Sequence, residues 1–132
     1  MRLNRFVATA ALASAGVVAS AQPFDGIYSD VRRTDEGHEG AEVVISSASP
    51  DQYWAVIRCA DYKLGTPVRL RAVVKGNQIE IAADPSGQSL CPNGKFVGRF
   101  SGAGITGQFR DLSLLPSSWA VHKLRHQRAT RQ

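Results

Sequence analysis

Folded about Ser101-Gly102-Ala103-Gly104, the stretch from Phe96 to Phe109 (FVGRFSGAGITGQF) becomes two facing arms. Phe100 then faces Ile105, Gly98 faces Gly107 and Phe96 faces Phe109. Side chains alternate faces along a strand, so these six residues share one face of a β-hairpin. Val97 and Arg99, with Thr106, Gln108 and Arg110, take the opposite and mostly polar face. A short link containing glycine is an ordinary hairpin connection. Two glycines opposite each other inside a ladder are not. Glycine weakens a strand, so a facing pair marks a sharp bend or a place where something packs close to the backbone. Bends of this kind curl a small sheet towards a barrel.

The rest of the chain supplies strands to join it. Gly26-Ile27-Tyr28 opens with strand propensity behind a glycine. Arg32 to Gly40 (RRTDEGHEG) reads as a long polar loop, and Glu42 to Ser47 (EVVISS) as a strand with Val43 and Ile45 inward. Ser49-Pro50-Asp51 makes a turn, with proline preset for its first central position. Gln52 to Ala60 (QYWAVIRCA) is a strand with two apolar faces. Tyr53, Ala55, Ile57 and Cys59 form one; Trp54, Val56 and Arg58 form the other. It is either covered on both sides or leaves an apolar strip exposed. After a loop over Asp61 to Pro67, Val68 to Val74 alternates cleanly. Gly76-Asn77 is a two-residue hairpin signal with glycine first, as a type II′ turn requires. The return strand then sets Ile79 opposite Val74 and Ile81 opposite Ala72, with Glu80 diagonal to Arg71. Asp84 to Gly94 is a loop carrying Cys91. Leu112, Leu114 and Leu115 are expected to cap one end of the core. Trp119 to Leu124 is the last strand, with Trp119 and Val121 inward. About eight short strands joined mostly by tight turns, with no helical period, predict an all-β fold. The expected form is a small antiparallel up-and-down barrel or meander, filled by side chains or holding one small ligand.

The first residues read differently. Arg2 and Arg5 precede a short apolar run, Phe6 to Val18, and Ala19-Ser20-Ala21 is an A-x-A cleavage site. Residues 1–21 therefore read as a secretory signal peptide. Residues 22–132 form a single domain of about 110 residues. A basic C-terminal tail is expected from about residue 126. No later stretch is long and apolar enough for a membrane helix. The expected location is periplasmic or secreted. In that setting Cys59 and Cys91 read as a disulfide. Closing such a loop stabilises by roughly 3.5–4 kcal/mol in the chain-entropy model. The core of so small a domain is marginal, and a staple of that size matters. Charge is uneven: Gln22 to Tyr62 carries three basic and eight acidic side chains, and Lys63 to Gln132 eleven basic and three acidic. Such asymmetry can steer a charged partner. An exported chain argues against nucleic acid as that partner.

Gly26-Ile27-Tyr28 also resembles the G-x-W start of lipocalin-like (calycin) barrels, with tyrosine in place of tryptophan. The resemblance implies a barrel with a ligand mouth. It also implies a late-strand arginine, here Arg125, lying over the aromatic ring.

Chemistry-bearing patterns are sparse. There is no G-x-S-x-G elbow, HExxH or P-loop, so neither catalysis nor a cofactor is expected. Asp35, Glu36, His38 and Glu39 put oxygen ligands and an imidazole on one loop that can bind a divalent cation weakly, although the spacing is not that of an EF-hand. His122 and His126 are expected to be exposed in the tail. Tyr28, Tyr53, Trp54, Arg58 and Tyr62 are the candidate binding residues. Aromatics and arginine dominate binding hot spots, and a mixed lining suits a ligand pocket. The same side chains would equally fill a barrel or clad its outside. The expected function is non-catalytic binding, of a small apolar or amphipathic ligand in the barrel mouth. The alternative is a face presented to another protein, such as an inhibitor of a cell-envelope hydrolase. A weak metal-binding protein or an enzyme comes third.

Overall fold

The computed structural model describes residues 24–50 and 52–127. The leader read over residues 1–21, and the last basic residues Arg128 and Arg131, lie outside the described residues. The described residues form nine strands: β1 (Gly26–Ser29), β2 (Arg32–Thr34), β3 (Gly37–Ser49), β4 (Gln52–Leu64), β5 (Val68–Lys75), β6 (Gln78–Ile81), β7 (Gly94–Ser101), β8 (Gly104–Asp111) and β9 (Val121–Gln127). From β3 to β9 each strand pairs antiparallel with the next. β1 then pairs with both β9 and β3 and closes an eight-stranded barrel. β2 lies outside the ring, as a short hairpin arm on the far end of β3.

The central hairpin has the register its sequence predicts: Phe96 faces Phe109, Gly98 faces Gly107 and Phe100 faces Ile105. The glycine pair makes room for a ring. A Cβ added at Gly107 would meet the Phe96 ring and lie 2.6 Å from the Val97 carbonyl oxygen. Phe96 thus lies over bare backbone inside the barrel, in edge contact with Phe109 at 5.1 Å. At the β5–β6 turn, Gly76 has φ +62° and Asn77 stays in the negative region, as a type II′ turn requires. Ile79 faces Val74 and Ile81 faces Ala72.

Alternation decides the interior. Val43 and Ile45 of β3, Tyr53, Ala55 and Ile57 of β4, Ile79 and Ile81 of β6, the phenylalanines of β7 and β8, and Leu124 of β9 are all buried. Phe24 plugs one end, stacked on Phe100 at 4.2 Å and edge-on to Tyr53 at 6.4 Å. The other end is crossed by the loop from Asp84 to Asn93, which the Cys59–Cys91 disulfide ties to β4. Ser89 accepts from the Cys59 N–H at 2.8 Å, and Gln88 from that of Thr66 at 2.9 Å.

Four expectations fail, each for a physical reason. Arg32 to Gly40 is no open loop: Arg32–Thr34 pairs with Gly37–Glu39 around a two-residue turn. That arm gives Asp61 and Tyr62 backbone partners, so β4 runs on to Leu64. The last strand has the opposite phase. Trp119 stays in the preceding loop, its indole N–H donated to the Asp111 carbonyl at 3.1 Å. Leu124 then pairs with inward Ile105, which turns Val121 outward. Finally, the leucines of the β8–β9 loop cap nothing: Leu112 is 94% exposed, Leu115 73% and Leu114 48%.

Candidate functional site

The five candidate binding residues fall into two groups separated by the barrel wall. Tyr28 and Tyr53 belong to the packed interior. The Tyr28 hydroxyl donates to the Phe24 carbonyl at 2.9 Å, and burial, helped by the Asp25 carboxylate, pushes its ionisation up. The ring that meets Tyr28 from β9 is His126, at 4.9 Å, and not Arg125, which stands one position away on the outer face. His122 and His126 therefore belong to β9 and not to a tail; His126 is exposed, as expected, and His122 is half-buried.

Trp54, Arg58 and Tyr62 point outward along β4. Trp54 is opposite Arg71, and Val56 opposite Arg69. Both arginines fold onto the indole: the Arg69 guanidinium lies 3.9 Å from the ring centroid and that of Arg71 5.1 Å. A cation over an indole face is attracted by the ring quadrupole, and arginine still offers its edge donors to a ligand. Arg58 is bridged to Glu42 of β3 at 3.1 Å. Val44 and Val56, paired and half-buried, carry an apolar strip from Trp54 towards exposed Ile27 of β1. Strand β4 thus has its tyrosine face inward and its tryptophan face on the outside. Tyr62, 65% exposed and at φ +67°, sits beyond this surface at the tip of the barrel.

The acidic candidates are spread by the hairpin arm. Asp35 and Glu36 form its turn, His38 pairs laterally with Arg33, and Glu39 is ion-paired to Arg32. Among the described residues, no three His, Cys, Asp or Glu side chains are grouped so as to hold a metal ion.

Sequence reasoning missed one polar pair. His122 Nδ1 lies 3.0 Å from the Asp30 carboxylate. The other Asp30 oxygen accepts from the Ala41 N–H at 2.6 Å. Behind His122 stands Phe109, edge-on at 5.6 Å. Asp30 thus ties together β1, β3 and β9 where the barrel closes. The pair opens onto a cleft of about 530 Å³ lined by Arg32, Glu39, Gly40, Ala120, Val121 and Lys123. None of these lining residues carries a hydroxyl or thiol that an Asp–His pair would activate as a nucleophile. An inward polar residue breaks the period-two pattern, and that break was the only signal for it in the chain.

Two further loops are braced by carboxylates. Asp84 accepts from the N–H and hydroxyl groups of both Ser86 and Ser89, at 2.6 to 3.1 Å. Burial would raise its carboxyl, but those four bonds outweigh burial and hold it well below the usual range. Asp111 accepts from the hydroxyl and N–H of Ser113, which hold its carboxyl below the usual range as well.

No family model matches this chain, and neither a curated protein nor a solved structure matches it. Fold and surface together define a small, disulfide-stapled, closed eight-stranded antiparallel barrel. Its interior is filled, and its outer wall carries a tryptophan flanked by two arginines.

Proposed function

We propose that this protein is an exported, non-catalytic binding module that engages another protein of the cell envelope through the outer face of β4 and β5. The observation that carries this reading is the placement of Trp54 between Arg69 and Arg71 on the outside. Tyr28 and Tyr53, which would line a ligand mouth, are consumed by interior packing. That distribution favours recognition by a surface over carriage of a small molecule in the barrel. Export rests on the leader-like residues 1–21, and the disulfide is compatible with an oxidising compartment.

The chemistry of the face specifies the partner in outline. Arg69 and Arg71 are in none of the ion pairs among the described residues, which engage Arg32, Arg58 and His122. A planar guanidinium recognises carboxylates in a two-pronged fashion, so the partner surface carries Asp or Glu beside an apolar rim that meets Trp54, Val56 and Val44. A photo-crosslinking residue at exposed Val73, two positions along β5 from Arg71, tests this in exporting cells. The expected result is one discrete protein adduct that disappears with Trp54→Ala or Arg71→Ala. Adducts that persist in both variants, or a fatty acid that raises the melting temperature by several degrees, would overturn the reading.

A further inference from the structure

The β8–β9 loop presents leucines that the fold does not use. Leu112, Leu114 and Leu115 are uncovered, yet the backbone that carries them is firmly held. The Leu114 N–H donates to the Asp111 carbonyl at 3.0 Å, and the Trp119 indole donates to the same oxygen at 3.1 Å. Ser113 caps the Asp111 side chain at 2.6 and 2.8 Å. A short 3₁₀ turn, Pro116–Ser118, closes the loop. Three exposed leucines lie together on this braced loop, and grouped apolar display of this kind marks an interaction site.

The surroundings identify what it meets. Lys95 and Arg110 are cross-strand partners at the base of the loop. Between them and Leu112 lies a cleft of about 830 Å³, lined also by Asn93 and Ser113. Its two carboxylates are Glu80, on the far strand, and Asp111, already committed to Ser113. The Arg110 guanidinium also lies 5.8 Å from the Trp119 ring. Neither Lys95 nor Arg110 is in an ion pair among the described residues. Apolar side chains at a tip, an amphipathic indole behind them and unpaired cations around the base match the layering of a bilayer surface. In that layering hydrocarbon lies below anionic headgroups.

We propose that this end of the barrel docks on an anionic phospholipid surface, with Leu112, Leu114 and Leu115 entering the acyl boundary and Lys95 and Arg110 holding headgroup phosphates. The chain from Gln22 onward, which carries the whole closed barrel, is the material for the test. It would be sedimented with vesicles of phosphatidylglycerol and phosphatidylcholine, and with phosphatidylcholine alone. The expected result is binding to the mixed vesicles at least roughly tenfold tighter than to the neutral ones. Leu112→Ser with Leu115→Ser should weaken that binding by at least roughly tenfold. Lys95→Gln with Arg110→Gln should abolish the preference for anionic lipid while leaving residual binding. All four side chains are exposed, and an unchanged melting temperature checks that the variants fold. In a Trp54→Phe background, Trp119 emission should shift to the blue when mixed vesicles are added. Absence of vesicle binding would overturn the proposal. So would binding unchanged in the double leucine variant, or concentration-dependent dimerisation abolished by that variant.

Discussion

Asp84 shows what one side chain can do for a loop. It is almost fully buried, and four donors from Ser86 and Ser89 converge on its two oxygens. Ser89 in turn accepts from the Cys91 N–H at 3.2 Å and from that of Cys59 through its carbonyl. The carboxylate therefore shapes the segment that delivers one half of the disulfide to the other. Four charge-assisted bonds to a buried anion make Asp84→Asn expensive, by roughly 2–3 kcal/mol at neutral pH. The pH dependence follows from the sign of the shift. The folded carboxyl lies below its ordinary value of 3.8, so the unfolded chain binds the proton first as pH falls. The stabilisation is complete well above that value and fades as acid is added. In urea titrations the gap between wild type and Asp84→Asn should narrow progressively as pH falls below about 5. A gap that stays constant would show that the carboxylate charge is not what holds the loop.

At the level of elements, the β7–β8 hairpin is the part most plainly written in the chain. Apolar residues alternate on both arms, two glycines fall in register, and the link is short, so local chemistry and tertiary role agree. What the glycines accommodate is the Phe96 ring. Gly107→Ala would drive a methyl group against that ring and the Val97 carbonyl. It should cost about 1–3 kcal/mol in chemical denaturation. Gly102→Ala, at the turn with open space around it, should change stability by less than about 0.5 kcal/mol. Equal effects at the two positions would remove the close-packing account. β9 was less legible because its inward positions are His122, Leu124 and His126. Two histidines in the inward phase, His122 half-buried and His126 exposed at the strand's end, reverse the polarity that alternation relies on, and Trp119 and Val121 supply a false apolar phase just before them. The Asp30–His122 contact spans 92 positions, and no local pattern announces a pairing of that length. The leucine loop misled for a different reason: hydrophobicity names a residue that gains by leaving water, but not which apolar phase receives it. In the candidate site, outward Arg69 and Arg71 were evident from the alternation of β5. Their stacking on Trp54 needed the β4–β5 register and the sidedness of β4, which its two apolar faces left undecided.

For the whole molecule the decisive property is that the barrel is full. Phe24, Tyr28, Tyr53 and Phe100 form a contiguous aromatic set at one end, in stacked and edge contacts at 4.2 to 6.4 Å. Phe96 and Phe109 occupy the interior beside the glycine pair, and the branched chains of β3, β4 and β6 take the rest. An eight-stranded barrel is just wide enough to be filled in this way. A filled interior supports the proposed recognition by the outer wall. Removing one plug tests it directly. Phe96 is 1% exposed, and Phe96→Ala should destabilise by about 3–5 kcal/mol, because transfer and cavity terms add. The cavity would be apolar and dry, lined by Phe109, Ile105 and bare glycine backbone, and of a kind that accepts a small aromatic molecule. Indole or benzene should therefore raise the melting temperature of Phe96→Ala, by linkage to the folded state, and leave that of the wild type unmoved. If the wild type responded as strongly as the variant, the barrel would already hold accessible space. Recognition by the Trp54 face would then lose its main support to carriage of a ligand inside.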